Sequence, residues 1–210
     1  LRVGTTLDYP PFSSGTLDQP GGIDITLANR LGDSLGVPVQ FVQTSWPTLT
    51  QDFTARAFDL ALSGVSITPS RTALGAFSAP YHIGGKTPIG RCLDQDRFKD
   101  FATIDQPETR AVFNPGGTNE RFARQHLQHA QFIIFPDNRF IFQELMAGRA
   151  DVMFTDEIEV ALKTQLHRPL CALLPGSSYA RQDAGWGSVH APGSYARQDA
   201  GRDRARAPAS

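Results

Sequence analysis

The sequence predicts an α/β protein with two lobes, and three observations lead to this fold class. Short apolar strands alternate with amphipathic helices along the chain, which is typical of parallel sheets with helices on their faces. The alternation restarts after residues 84–88, which indicates a second unit. The chain has 210 residues, 40% of them hydrophobic and 20% charged, enough for one large domain or two small ones. We therefore expect a first lobe at residues 1–90 and a second at residues 91–174, joined near residues 86–91.

The first lobe is expected to contain three strands joined by helices. The strands are predicted at residues 2–5, 39–42 and 58–62. The helix after the first strand ends at Gly36 and has one apolar face, formed by Leu27, Ala28, Leu31 and Leu35. A second helix carries Leu49 and Phe53. Thr68 followed by Pro69 predicts a further helix start, because proline is favoured at the first helical position.

The second lobe is expected to repeat this pattern. Its strands are predicted at residues 110–113, 132–135 and 151–154, and its helices near residues 119–130, 138–147 and 156–166. Residues 114–120, with the sequence Asn-Pro-Gly-Gly-Thr-Asn-Glu, lie where a strand turns into a helix. Their glycines allow a close backbone approach, Thr118 or Asn119 can cap the helix, and the free N–H groups favour an anion. The alternative is an ordinary turn between a strand and a helix.

Polar residues follow the predicted strands, and ligands of open parallel sheets bind beyond the carboxyl ends of the strands. In the first lobe these residues are Thr5, Thr6, Asp8, Thr44, Ser45, Trp46, Ser63, Gly64, Ser66 and Arg71. In the second lobe they are residues 114–119, Asp137, Asn138, Thr155, Asp156 and Glu159. Two lobes with facing polar strand ends predict a cleft that closes on a small ligand. The net charge of -1 argues against a nucleic-acid surface, and no apolar run approaches the roughly 20 residues of a membrane span.

Several short motifs resemble those of known protein families. The chain is similar to the type II periplasmic solute-binding fold at Thr44-Ser45-Trp46-Pro47, Phe58-Asp59, Ser63-Gly64, Phe77-Ser78, Pro80-Tyr81 and Gly85-Lys86-Thr87-Pro88-Ile89. More narrowly, it resembles cyclohexadienyl dehydratase, the periplasmic enzyme branch of that fold, at Ile104-Asp105-Gln106-Pro107, residues 114–120, Thr155-Asp156 and Ile158-Glu159. The resemblance extends from residue 1 to residue 175.

The dehydratase resemblance implies a lyase of phenylalanine biosynthesis located in the periplasm. Its reaction is the decarboxylating dehydration of prephenate to phenylpyruvate, or of arogenate to phenylalanine. The substrate carries two carboxylates and a hydroxyl that leaves poorly as hydroxide, so the site needs anion holders and one proton donor. We expect a small-molecule substrate as the partner, with no cofactor, no metal and no nucleic acid. The preference between the two substrates and the oligomeric state stay open.

The resemblance implies three catalytic residues, Glu159, Lys86 and Asn119. Glu159 matches the general acid of the family, and a carboxylic acid that donates near neutral pH needs a raised pKa, which a dry cleft and the neighbouring Asp156 would provide. Lys86 would meet the second carboxylate or the leaving group. The alternatives are that Glu159 caps its own helix or lies in solvent, and that Lys86 is a solvated residue of the hinge.

Seven residues are expected to bind the substrate. Arg71 would hold one carboxylate with two hydrogen bonds, as the matching arginine does in the wider family. Trp46 would form a wall for the ring, although a tryptophan at a helix start is often only core. The others are Gly117, Thr118, Ser66, Asp156 and Asp8. In a second hypothesis the chain is the non-catalytic amino-acid-binding subunit of an ABC import system, with Arg71 on the carboxylate and Asp156 on the amino group.

Cysteine and histidine usage raises two further questions. Cys92 and Cys171 flank the second lobe, and an oxidising periplasm permits a disulfide between segments that enter and leave one lobe. Two buried free thiols are the alternative. His126 and His129 have a spacing that can bind metal, but no third ligand is evident, which favours a solvated surface. Residues 137–138 are interpreted as a helix cap rather than as part of the site.

Residues 175–210 depart from the resemblance. Residues 178–185 recur identically at residues 194–201, and the last residues are mostly Arg, Ala, Pro and Ser. We expect this tail to be disordered or loosely attached, in place of the strand and helix that would return to the first lobe. The hypothesis is a frame shift or a duplication in the gene, which would compromise lobe closure and activity.

Overall fold

The structure is a computed structural model that describes residues 1–177, Tyr179 and the backbone of residues 186–190. Its first half contains strands and helices in the order β1 (Arg2–Thr5), β2 (Ser14–Gly15), β3 (Pro20–Gly21), α1 (Ile23–Leu35), β4 (Gln40–Gln43), α2 (Leu49–Thr54), β5 (Leu60–Ser66), α3 (Pro69–Thr72) and β6 (Ala76–Phe77). Then follow β7 (Lys86–Arg91), α4 (Phe101–Ile104), β8 (Arg110–Phe113), α5 (Thr118–His126), β9 (Gln131–Ile134), α6 (Ile141–Met146), β10 (Met153–Asp156), α7 (Glu157–Leu166), β11 (Leu170–Ala172) and β12 (Trp186–His190).

A five-stranded sheet with the order β4-β1-β5-β12-β6 forms the first lobe. Strand β1 runs parallel to β4 and to β5, as the alternation of strands and helices predicted. Side chains of β5 alternate between two cores because successive residues of a strand point to opposite faces. Leu60 and Leu62 pack with Val3 on one face, and Ala61 and Val65 pack with α2 on the other.

Helix α1 ends at Gly36 as predicted, with this residue at φ 66, but its predicted apolar face is wrong. Leu27, Leu31 and Leu35 are exposed, whereas Asp24, Ile25, Ala28 and Gly32 are buried. Asp24 holds the helix in this orientation, because its carboxylate accepts hydrogen bonds from the Gly64 N–H and from the hydroxyl of Tyr81. This long-range contact sets which side of the helix faces the sheet, and the apolar residues alone do not reveal it.

Two smaller sheets form the second lobe. Strands β8 and β9 are parallel, but β7 lies between β10 and β11 and runs antiparallel to both, so the prediction of parallel strands is wrong for this sheet. The sequence pattern assigned residues 86–91 to the connection between lobes, whereas they form β7. The boundary predicted at residue 90 therefore falls inside a strand of the second lobe.

Two strands and one helix have boundaries that differ from the prediction, so several polar residues lie in a different element than expected. Strand β5 runs to Ser66, so Ser63 and Gly64 lie within the strand and not after it. Strand β10 likewise includes Thr155 and Asp156. Helix α5 starts at Thr118 with Gly117 as its N-cap and no side-chain cap bond. The predicted cap by Thr118 or Asn119 is wrong because both side chains accept hydrogen bonds from Lys86 instead.

The tail contributes a strand to the first lobe. Strand β12 pairs antiparallel with β5 and with β6, so for residues 186–190 the expectation of a tail that does not return is wrong. The backbone of Tyr179 also pairs with Lys86 in both directions. The two copies of the repeated segment, apart from Tyr179, lie outside the described residues.

The second lobe is closed by a disulfide. Cys92 and Cys171 are joined, with 4.8 Å between their Cα atoms, and the register of β7 with β11 places Cys171 opposite Gly90. The two sulfurs are therefore not free thiols. None of the helices in the described part of the chain is long and apolar enough to cross a membrane.

Candidate functional site

A cleft lies between the two lobes, with an empty volume of about 280 Å³. Its walls come from both lobes and consist of Tyr9, Trp46, Gly64, Ser66, Asn114, Gly117, Thr118, Asn119, Asn138 and Asp156. The cleft is therefore small, polar on the side of the second lobe and partly aromatic on the side of the first.

Three contacts hold the lobes together across the cleft. The Tyr9 hydroxyl donates to Asp156 Oδ2 at 2.6 Å, and Asn138 Nδ2 donates to the carbonyl oxygen of Asp8 at 3.0 Å. Gly116 lies against Pro47, so close that a Cβ atom added to Gly116 would be 2.6 Å from the proline Cα. The lobes thus stand in a closed arrangement.

Lys86 is the centre of a buried polar cluster in the second lobe. Its side chain is 6% exposed, and Nζ lies 2.9 Å from both carboxylate oxygens of Asp156. Nζ also donates to Asn119 Oδ1 at 2.6 Å and to Thr118 Oγ1 at 2.9 Å. The pairing of β7 with β10 places Lys86 directly opposite Asp156, which explains the contact. The alternative of a solvated hinge lysine is excluded by this burial.

Glu159 is fully buried one turn into α7. Burial raises the pKa of its carboxyl group to about 7, the charge of Asp156 adds to the rise, and the Thr155 hydroxyl and Lys163 offset part of it. The Thr155 hydroxyl donates to Glu159 Oε2 at 2.6 Å. Oε1 has no hydrogen-bond partner within the described structure. The solvated alternative for Glu159 is therefore excluded, and near neutral pH a large fraction of this carboxyl group keeps its proton.

Glu159 connects to the cleft through Thr155 and Asn119. Asn119 Nδ2 donates to Thr155 Oγ1 at 3.1 Å, and Asn119 itself lines the cleft. The alternation along β10 separates two neighbours, since Asp156 lines the cleft while Thr155 contacts Glu159. The three residues predicted to be catalytic are thus in one cluster, although Glu159 and Lys86 lie behind the cleft wall.

Arg71 is a buried cation at the start of α3. It is 8% exposed, its Nη1 donates to the carbonyl oxygen of Ser66 at 3.1 Å, and no ion pair of it occurs among the described residues. Burial lowers the pKa of Arg71 to about 10, and the charge of Arg121 adds to this effect. Arg71 is not part of the cleft wall, but Ser66, which it contacts, is.

Trp46 and Asp8 lie together on the first lobe. The indole Nε1 of Trp46 donates to Asp8 Oδ1 at 3.0 Å, and its ring meets Tyr9 edge-on with 5.8 Å between centroids. Burial raises the pKa of Asp8, and hydrogen bonds from Thr6 and Trp46 offset part of the rise. Trp46 lines the cleft and also packs against two core clusters, so it is both wall and core.

Residues 1–114 match the bacterial extracellular solute-binding proteins, family 3, which is more than half of the chain. The chain belongs to this family. Two curated relatives differ in what they do. Cyclohexadienyl dehydratase of Pseudomonas aeruginosa is 49% identical over 177 residues, 83% of this chain and 66% of that protein. The L-cystine-binding protein TcyJ of Escherichia coli is 27% identical over 187 residues, 88% of this chain and 69% of that protein.

Solved structures of amino acid-binding proteins show the same fold. An ancestral amino acid-binding protein, a precursor of cyclohexadienyl dehydratase, superimposes with a TM-score of 0.83 at 34% identity, covering 92% of this chain and 82% of that chain. The substrate-binding protein AbpA of Streptococcus pneumoniae, bound to L-arginine, gives a TM-score of 0.83 at 25% identity with the same coverages. The chain spans 66% of the length of the dehydratase, just under two thirds.

Of the ten candidate site residues, six line the cleft of this family-3 protein: Trp46, Ser66, Gly117, Thr118, Asn119 and Asp156. Four cleft residues are not among the ten candidates: Tyr9, Gly64, Asn114 and Asn138. Tyr9 carried no local signal, because its partner Asp156 is 147 positions away. Asn138 was interpreted as a helix cap, but no cap bond of α6 involves it, and its amide contacts the other lobe instead.

His126 and His129, which were considered as metal ligands, do not line the cleft. His126 stacks on the ring of Phe122 with 4.1 Å between centroids, and its Nδ1 lies 2.9 Å from the Phe122 carbonyl oxygen. His129 Nδ1 is 3.1 Å from Asp105 Oδ2. Both contacts are local structural ones within the second lobe.

Proposed function

We propose that this protein catalyses the decarboxylating dehydration of prephenate to phenylpyruvate, of arogenate to phenylalanine, or of both, in the periplasm. The 49% identity to a cyclohexadienyl dehydratase supports the reaction class. The single observation that carries the proposal is Glu159, because a carboxyl group with a pKa of about 7 supplies the proton donor that the reaction needs.

Arg71 and the backbone at the start of α5 would hold the two carboxylates of the substrate. Arg71 has a planar guanidinium group without a carboxylate partner in the described structure, which suits a bidentate contact. The Gly117 and Thr118 backbone stands at the start of α5, where free N–H groups favour an anion. Lys86 is saturated by Asp156, Asn119 and Thr118, so its part is to place those groups and to contribute positive charge near the ring.

The chemical step needs one proton and no external electron donor. Glu159 gives its proton to the ring hydroxyl, the C–O bond breaks and water leaves. The bond between the ring and its carboxylate breaks in the same process, its electron pair enters the ring, and carbon dioxide is released. The ring becomes aromatic, and the ionised Glu159 regains a proton from solvent.

In the closed cleft, Thr155 and Asn119 lie between Glu159 and the cleft. Glu159 therefore has to come into contact with the substrate when the substrate binds. Catalytic hydrogen bonds are often long or incomplete before the substrate binds. The proton would reside on Oε1, because Oε2 accepts from the Thr155 hydroxyl. Asn119 and Thr155 then serve to orient the carboxyl group toward the cleft.

The test mixes the protein with prephenate and follows the absorbance of phenylpyruvate. We expect Glu159→Gln to abolish turnover while leaving ligand binding largely intact. Glu157→Gln is the matched control, because Glu157 starts the same helix and its Oε1 only accepts from the Gly85 N–H, which an amide oxygen can replace. Loss of binding together with turnover in Glu159→Gln would contradict the acid role.

A second candidate function is the amino-acid-binding subunit of an import system. The similarity to an ancestral amino acid-binding protein and the unpaired cation of Arg71 favour a carboxylate ligand in either case. The hypothesis also needs Asp156 to accept an amino group. That carboxylate is already engaged by Lys86 and Tyr9, which favours the enzyme. Binding of amino acids by calorimetry, with no turnover of prephenate, would reverse this order.

A further inference from the structure

Asn138 carries a polar atom that the mechanism above does not use. The residue precedes α6, lines the cleft and is 3% exposed. Its Nδ2 donates to the Asp8 carbonyl oxygen at 3.0 Å, across the gap between lobes. Its Oδ1 is buried and has no hydrogen-bond partner within the described structure.

The orientation of this amide follows from the chemistry of its partner. A backbone carbonyl oxygen accepts hydrogen bonds and donates none, so the atom that faces Asp8 must be the NH₂ group. The other end of the planar amide, Oδ1, then points away from that carbonyl. Asn138 therefore presents an acceptor, and not a donor, to its remaining surroundings in the cleft.

A buried acceptor without a donor destabilises a protein, and native structures rarely keep one without a purpose. Here the residue lies in the cleft wall, where a bound molecule can supply the donor. At neutral pH prephenate has two carboxylates and a ketone, which only accept hydrogen bonds. Its ring hydroxyl is its one donor group.

We propose that Asn138 Oδ1 accepts a hydrogen bond from the ring hydroxyl of prephenate, an inference that rests on the proposed function. The contact fixes the hydroxyl hydrogen on the side of Asn138 and leaves the oxygen lone pairs for the proton of Glu159. Asn138 thus binds and orients the leaving group, and it recognises substrates by the presence of this hydroxyl.

The test compares two non-reacting ligands, both prephenate analogues with a saturated ring that cannot become aromatic. One retains the ring hydroxyl and the other lacks it. Isothermal titration calorimetry gives the affinity ratio between them. We expect the unchanged protein to bind the hydroxylated analogue about 10-fold to 100-fold more tightly, the range of one hydrogen bond in a buried site. Asn138→Leu and Asn138→Ala should reduce the ratio to near one.

Two further variants separate the acceptor from the contact between lobes. Asn138→Asp keeps an acceptor but cannot donate to the Asp8 carbonyl, so it should retain the preference while binding both analogues more weakly. Asn29→Leu, at an exposed position of α1, controls for the substitution itself and should change neither affinity. Asn138→Leu and Asn138→Ala, which lose the preference for the hydroxylated analogue, should also lower kcat/KM with prephenate.

The outcomes distinguish this inference from the proposed function. Equal preference for the hydroxyl in the unchanged protein and in both apolar variants would overturn the role of Asn138, while binding and turnover would still support the enzyme. Failure of the unchanged protein to bind either analogue or to form phenylpyruvate would overturn the proposed function, and the inference with it.

Discussion

Burial and a hydrogen bond have opposite effects on the pKa of Glu159. Loss of hydration favours the neutral acid, and the Thr155 hydroxyl, which donates to Oε2, favours the charged form. The first effect is larger, since the pKa is raised to about 7. Burial thus gives Glu159, one helical turn beyond Asp156, the pKa that its proposed role as a proton donor at neutral pH requires.

We predict that kcat/KM falls above pH 7, because a general acid works only in its protonated form and Glu159 of the free protein loses its proton with a pKa of about 7. Initial rates of phenylpyruvate formation between pH 5 and 9 measure this. Lys163→Met should move the fall to higher pH, since the charge of Lys163 lowers the pKa of Glu159. A fall that stays at the same pH in Lys163→Met would contradict the assignment to Glu159.

Arg71 is predicted to contribute to binding and not to stability. Arg71 is buried and has no anionic partner among the described residues, and the desolvation of such a cation is a cost that the free protein does not recover. Arg71→Met should weaken binding of a saturated prephenate analogue by about 10-fold to 100-fold, as loss of a charge-assisted hydrogen bond does. Its melting temperature should be unchanged or higher.

The matched control for Arg71 is Arg149→Met, at an exposed arginine that pairs with Glu144 and does not line the cleft. We expect its affinity to match that of the unchanged protein. A marked loss of stability in Arg71→Met, with affinity retained, would show that the guanidinium group is a structural element.

At the scale of the elements, the site depends on the junction of β10 with α7 and on the turn before α5. Strand alternation sends Asp156 to the cleft and Thr155 to Glu159, and the antiparallel register brings Lys86 opposite Asp156. The turn before α5 carries Gly116 at φ 83, where it meets Pro47 of the first lobe. Lobe closure therefore acts on the turn before α5, the helix whose start is proposed to hold a substrate carboxylate.

Gly116→Ala is predicted to hinder lobe closure. The positive φ alone makes any side chain unfavourable by about 1 kcal/mol, and the added Cβ would also collide with the Pro47 backbone. Gly36→Ala is the matched control, because Gly36 has φ 66 and open space around its Cβ position. Both variants should lose similar stability in urea unfolding, but only Gly116→Ala should weaken ligand binding. Equal affinities would contradict a role in closure.

At the scale of the whole molecule, local signals in the sequence predicted what is locally determined. The strand at residues 2–5 and the helix end at Gly36 follow from a short apolar run and a residue that tolerates positive φ. The turn at residues 114–120 was predicted from its glycines and its place before a helix, the catalytic role of Glu159 came from a resemblance, and the structure brings both together around Lys86.

Contacts between distant parts of the chain could not be predicted from local patterns. The inward face of α1 depends on Asp24 and its bond to Gly64, 40 residues away. Asn138 meets Asp8 across 130 residues. The sequence pattern assigned residues 86–91 to the connection between the lobes, but these residues form strand β7. In each case the structure depends on a hydrogen bond or a strand pairing between distant residues, which the spacing of apolar residues does not reveal.

The return of the tail to the first lobe leads to the last prediction. Strand β12 lies between β5 and β6, and Val189 pairs with Ala61 on one side and Phe77 on the other. A proline there removes a backbone donor inside the sheet. Val189→Pro should lower the free energy of unfolding by about 3 kcal/mol. Val189→Ile retains the N–H group and should melt like the unchanged protein in circular dichroism. If the proline variant also melts at the unchanged temperature, residues 186–190 do not support the sheet, and the first lobe closes without them.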